Sequence, residues 1–99
     1  ADQMVNYLEG NLRLMQQELQ DVSGITMIQP EATYLIWLDC RELKLSQKDL
    51  MRFFKEEAKI ILNDGATFGT EGVGFVRMNI ACPRVRLQKA MEQLKNALN

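Results

Sequence analysis

The chain has 99 residues, 46% of them hydrophobic and 25% charged, which suits one small domain with a packed core and leaves no sign of disorder. Twelve basic against thirteen acidic side chains give a net charge of -1, a balance that argues against the basic footprint of nucleic-acid modules. No apolar run approaches the length of a bilayer span, and the opening ADQMVNYLEG lacks the pattern of a signal peptide. Histidine, the commonest general acid–base group near neutral pH, is absent. Cys40 and Cys82 lack metal-ligand spacing; they read as two reduced small hydrophobes in a cytoplasmic protein, with one disulfide as the alternative. The glycines at 65, 69, 72 and 74 fit neither of the two common phosphate-cradle spacings.

In chain order, Met4, Leu8, Leu12, Met15, Leu19 and Val22 recur every three or four residues and predict an amphipathic helix over 1–22. Gly10 interrupts it, and Ser23-Gly24 is a plausible stop. A stripe of six is more than packing on one small sheet requires, so part of this helix is expected to face something outside the domain. Two strands follow, Ile25 to Ile28 and Thr33 to Asp39, with Gln29-Pro30-Glu31 as a turn between them. The run Tyr34 to Leu38 is apolar enough to be covered on both faces, by helices of this chain on one and by a neighbour outside it on the other.

Ser46 with Asp49 three residues on marks a helix start, and Leu50, Phe53, Phe54 and Ala58 supply its apolar face. Lys59 to Leu62 has strand composition, and Asn63-Asp64-Gly65 reads as the turn that ends it. After a glycine-punctuated loop carrying Phe68, a strand is expected over Val73 to Ala81. Pro83 then sits near the start of a last helix whose stripe is Leu87, Met91, Leu94 and Leu98. The order α-β-β-α-β-β-α is that of an α+β domain, a small and mostly antiparallel sheet with helices packed on it.

The period of two in the last strand sends Val76, Met78 and Ile80 to a core and Phe75, Arg77 and Asn79 to the other face. GVGFVRM has the look of an RNA-binding submotif, but that motif needs aromatic side chains where Val73 and Met78 stand, and its basic first position is Glu71. RNA recognition is therefore set aside. Arg77 is either a solvated surface arginine or a bidentate partner for a carboxylate, held in direction by a rigid strand. Periodicity does not separate the two.

Essentially the whole chain resembles the C-terminal small domain of the fold-type I pyridoxal-phosphate enzymes, the class I/II aminotransferase family. The resemblance is carried by YLEGNLRLMQQEL, PEATYLIWLDCREL and ILNDGATFGTEGVGFVRMNIACPRVRLQKAMEQL, and within them by the combination of Gly65, Phe68-Gly69 and G-x-G-F-x-R-x-N. FVRMNIACPR is most similar to the cystathionine β-lyase, or C–S lyase, branch. The resemblance implies that Arg77 pairs with the α-carboxylate of an amino-acid substrate. It also implies that the face of Phe75, Arg77 and Asn79 turns toward a larger domain, with helix 1–22 as connector. The cofactor, pyridoxal phosphate, is expected in that large domain, since none of the lysines at 44, 48, 55, 59, 89 and 95 has the family's Ser-x-x-Lys-like setting.

On this reading residues 1–99 are one domain of a longer, typically homodimeric enzyme, Ala1 is not a natural start, and the chain holds no catalytic, cofactor-binding or metal-binding residue of its own. Two other readings stay open. One is a stand-alone amino-acid-binding regulatory α/β module using Arg77 without chemistry. The other is a protein-interaction domain using the first helix and the Tyr34–Leu38 strand, for which Arg77→Ala would be silent.

Overall fold

The computed structural model describes residues 2–32 and 34–99. Helix α1 (Asp2–Gln20) leads into strands β1 (Thr26–Ala32) and β2 (Leu35–Asp39), then α2 (Gln47–Arg52), which runs on as a π-helix over Phe53–Ala58. Strand β3 (Asn63–Asp64), two short 3-10 turns (Gly65–Phe68 and Thr70–Gly72), β4 (Phe75–Asn79) and α3 (Arg84–Leu98) complete the order. The four strands form one antiparallel sheet in the order β1-β2-β4-β3, so the fold is the expected α+β arrangement of helices on a small sheet.

The helices cover one face of the sheet. Ile36 and Leu38 of β2 and Val76 and Met78 of β4 are buried against Met15 and Leu19 of α1, Leu50 and Phe54 of α2, and Leu87, Met91 and Leu94 of α3. The stripe on α1 is buried only in part. Leu8, Met15 and Leu19 lie in the interior, while Met4 is 64% exposed and Val5 and Tyr7 are also exposed. Asn11, fully buried on the same helix, donates through Nδ2 to the carbonyls of Ile80 (2.8 Å) and Cys82 (2.9 Å). Its Oδ1 accepts from Arg84 Nε at 2.6 Å, so one side chain ties α1 to the end of β4 and the start of α3.

Two expectations need correction. Gln29-Pro30-Glu31 is not a turn: β1 continues through it, with a register shift against β2 between Ile28 and Ala32. Strand β1 is the sheet edge, where a proline takes no bond from the ladder, and an irregularity absorbs the rest. Thr33, expected to open β2, lies outside the described residues.

Lys59 to Leu62 is not a strand either, and the pairing falls on Asn63 and Asp64, which had read as a turn. The helix end explains this. Lys59 takes a left-handed conformation (φ 59°), and the N–H of Ile60 donates to the carbonyl of Phe54 at 2.9 Å. That is a Schellman-type closure widened by one residue, as a π-helix requires, and it removes the backbone of 59 and 60 from any ladder. Within these residues β2 is covered on one face: Ile36 and Leu38 are buried, while Leu35, Trp37 and Asp39 are half-buried on the opposite side, the face expected to turn toward a larger domain.

Candidate functional site

That second, helix-free face is where Arg77 lies. The register puts Trp37 opposite Arg77 on one side and Asn63 opposite it on the other, with Ile28 beyond Trp37. Directly paired residues share a face, so Ile28, Trp37, Arg77 and Asn63 form one row across the open side of the sheet. Phe75 and Asn79 flank Arg77 on the same face, as the strand period required.

The glycine loop folds back over this row. Asp64 Oδ1 accepts from the N–H of Ala66 (2.9 Å), and Thr67 Oγ1 donates to the Asp64 carbonyl (2.7 Å), which sets the first 3-10 turn. Gly65 and Gly72 pass backbone to backbone. A Cβ on Gly72 would run into the carbonyl of Gly65, and one on Gly65 into the carbonyls of Gly72 and Phe75. Gln47, at the start of α2, clamps the same loop. Its Nε2 donates to Asp64 Oδ1 (2.6 Å) and to the Phe75 carbonyl (3.2 Å), while its Oε1 accepts from the N–H of Gly74 (2.6 Å). Gln47 is fixed in turn by Ser46, whose Oγ accepts from the Asp49 N–H (3.1 Å) at the helix cap foreseen from the sequence.

The loop delivers Phe68 onto the row. Its ring meets Trp37 edge-on at 5.4 Å between centroids, with 82° between planes, and lies 4.4 Å from the Arg77 guanidinium carbon. Arg77 is half-buried there. Its Nε and one Nη both reach Asn63 Oδ1, but at 3.4 Å, longer than a good hydrogen bond. Among the described residues no carboxylate pairs with it.

The neighbouring arginines differ. Arg41 is engaged by Asp39 through Nε (3.0 Å) and Nη2 (2.8 Å), and its hydrogen bonds hold the Asp39 carboxyl below its ordinary value. Arg84 is engaged by Asn11 Oδ1 and by the Tyr7 carbonyl (2.9 Å). Of the arginines that stack on an aromatic ring among the described residues, Arg77 is the one whose charge meets no strong acceptor there. A planar donor fork so placed is suited to an incoming carboxylate.

The other candidate groups are structural. Burial pushes the Cys40 thiol up to about 12 and raises that of Cys82 as well, so neither is an activated nucleophile. Among the described residues no cluster of His, Cys, Asp or Glu has metal-binding spacing. Every lysine is exposed except Lys95, which is half-buried and bonds Glu18 at 3.0 Å. Sequence reasoning had placed Phe68 in a loop and Trp37 in a strand without joining either to Arg77. It had also passed over Gln47, whose type and position at a helix start gave no signal of its partners.

The family model for aminotransferase class I and II matches residues 1–94. Cystathionine beta-lyase PatB of Bacillus subtilis is 33% identical over 99 residues, covering 99% of this chain and 26% of its own length. Protein MalY of Escherichia coli is 44% identical over 69 residues, covering 70% of this chain and 18% of its own. Cystalysin from Treponema denticola, whose crystal structure contains pyridoxal 5'-phosphate, superposes with a TM-score of 0.91 at 33% identity over 98% of this chain and 25% of that one. The chain thus spans about a quarter of the length of PatB and of cystalysin.

Proposed function

This chain belongs to the class I and II aminotransferase family, and from that premise we propose that it serves as the substrate-facing small domain of a pyridoxal-phosphate-dependent enzyme. The proposed enzyme is a C–S β-lyase or aminotransferase in which Arg77 holds the α-carboxylate of the amino acid. The observation that carries the reading is the position of Arg77. Its guanidinium stands on the helix-free face of the sheet, braced by Phe68, with only long contacts to Asn63. Relatives named as cystathionine beta-lyases support the lyase side of the alternative.

In this reading the cofactor belongs to a larger domain outside these residues, because no lysine here has the Ser-x-x-Lys-like setting of the family. What this chain supplies is binding and orientation. A carboxylate fixed bidentately on Arg77 sets the direction of the bonds at the adjoining α-carbon, and positioning of that kind accounts for a large part of catalysis in general. The exposed first turns of α1, with Met4, Val5 and Tyr7, are where the larger domain would continue the packing. A reducing, cytoplasmic setting is in keeping with the two free cysteines.

The test uses the full-length protein carrying this chain. An absorbance band lost on borohydride reduction marks a covalently held cofactor, and a colourless protein returns the chain to a binding module. In the coloured protein, Arg77→Lys is expected to weaken amino-acid binding by about 10- to 100-fold, the worth of one charge-assisted pair, with cofactor content unchanged. Unaltered affinity for amino acids would remove Arg77 from the site.

A further inference from the structure

We propose that Phe68 is a positioning residue for Arg77: it fixes the plane of the guanidinium before a carboxylate arrives, and so sets selectivity for ligands that carry one. This inference rests on the reading of Arg77 given above. It starts from an oddity of burial. Phe68 is 52% exposed, yet it is held by a loop with little freedom to move. The loop is pinned at one end by the Gly65–Gly72 backbone contact and by the Asp64 cap. At the other end Gln47 fixes Gly74 and Phe75. An aromatic ring so built and so exposed contributes little to the core, and its two partners are both on the open face.

Those partners divide its function. The edge-on contact with Trp37, 5.4 Å between centroids, fixes where the ring stands. The 4.4 Å approach to the Arg77 guanidinium carbon then places the ring against the cation. Contact with an aromatic face leaves the in-plane N–H donors of an arginine available, which is the geometry a bidentate carboxylate needs. Asn63 Oδ1, 3.4 Å from Nε and one Nη, steers one edge of the fork without satisfying it. Arginine otherwise carries large rotamer freedom, and restricting it in advance lowers the entropy lost on binding. No other contact among the described residues restrains this guanidinium strongly, so Phe68 carries most of the restraint.

The experiment compares two ligands of equal chain length, L-norleucine and n-pentylamine, which differ by the carboxylate alone. Binding of each to the full-length cofactor-loaded protein is measured by calorimetric titration for the parent and for Phe68→Leu, Phe68→Tyr and Arg77→Lys. Phe68→Leu keeps an apolar side chain of similar bulk but removes the π face. It is expected to weaken norleucine by about three- to tenfold, the cost of ordering one long side chain on binding, and to leave pentylamine unchanged. Phe68→Tyr, which retains the face, is expected to bind both ligands as the parent does. Equal loss for both ligands would make Phe68 a general wall of the site and overturn the inference, as would Tyr behaving like Leu. If Arg77→Lys weakens norleucine but Phe68→Leu does not, only this inference fails. If Arg77→Lys is itself without effect, the carboxylate reading fails and this inference falls with it.

Discussion

Replacing Gln47 by Glu changes one heavy atom and tests how the open face is held. The side-chain amide of Gln47 uses both ends: Oε1 accepts from the Gly74 N–H, and Nε2 donates to Asp64 Oδ1 at 2.6 Å and to the Phe75 carbonyl at 3.2 Å. Glu retains the acceptor but puts a second carboxylate oxygen against Asp64 and a carbonyl. Losing the hydrogen bond to a charged partner costs about 1.5–3 kcal/mol. Two like charges about 4 Å apart add roughly 1–4 kcal/mol, toward the low end here because both side chains are only half-buried. At neutral pH the variant should therefore be about 2–4 kcal/mol less stable.

The pH dependence gives the sharper test. The carboxyl that Gln47→Glu places against Asp64 has a folded pKa raised above its unfolded value of about 4.3. Its protonated form restores a donor, so the deficit is present above the folded pKa and recedes as pH falls through it toward the unfolded value. Urea denaturation measures both. With a slope of about 1–3 kcal/mol per molar urea, the midpoint should drop by roughly 1–2 M near neutral pH and recover near pH 4. A variant as stable as the parent at neutral pH, or one with the same deficit at both pH values, would refute the clamp.

Asn11→Leu should destabilise the protein by about 2–4 kcal/mol in the same assay, because the Ile80 carbonyl loses its Asn11 donor and Arg84 Nε its 2.6 Å acceptor. The Cys82 carbonyl keeps the Tyr7 hydroxyl at 2.8 Å, so Tyr7→Phe alone is expected to change stability far less. Lys59→Gly should stabilise by about 0.5–1 kcal/mol, since Lys59 occupies a left-handed conformation that glycine adopts freely; a loss of thermal stability would contradict the helix-end geometry. Arg41→Met should open a stability gap to the parent that exists above the ordinary carboxylate range. The gap should close as pH falls through the lowered pKa of Asp39, because only the ionised Asp39 accepts from Arg41. A gap independent of pH would mean that Arg41 acts through packing on Phe75.

The helices, their buried stripes and the two faces of β4 were open to reading from the chain alone, because each is a local repeat of three to four or of two residues. Arg77 was singled out the same way, as a cation on the polar face of a strand, and the family combination around Gly65, Phe68 and Gly74 implied a role for it. Pairing was not open to such reading. Whether Lys59–Leu62 or Asn63–Asp64 meets β4 depends on how the π-helix closes at Lys59 and Ile60, and local composition favoured the wrong segment. Pro30 read as a turn because its place at a sheet edge follows from the strand order, which is set by contacts distant in sequence. The same holds for the open face: Trp37 and Arg77 stand side by side only through the register of β2 on β4. Phe68 joins them only because two glycines and a glutamine from another helix bend the loop back. Period is a property of neighbours along the chain, whereas register and loop direction are settled when distant segments pack, and the place of Arg77 beside Trp37 and Phe68 comes from the latter.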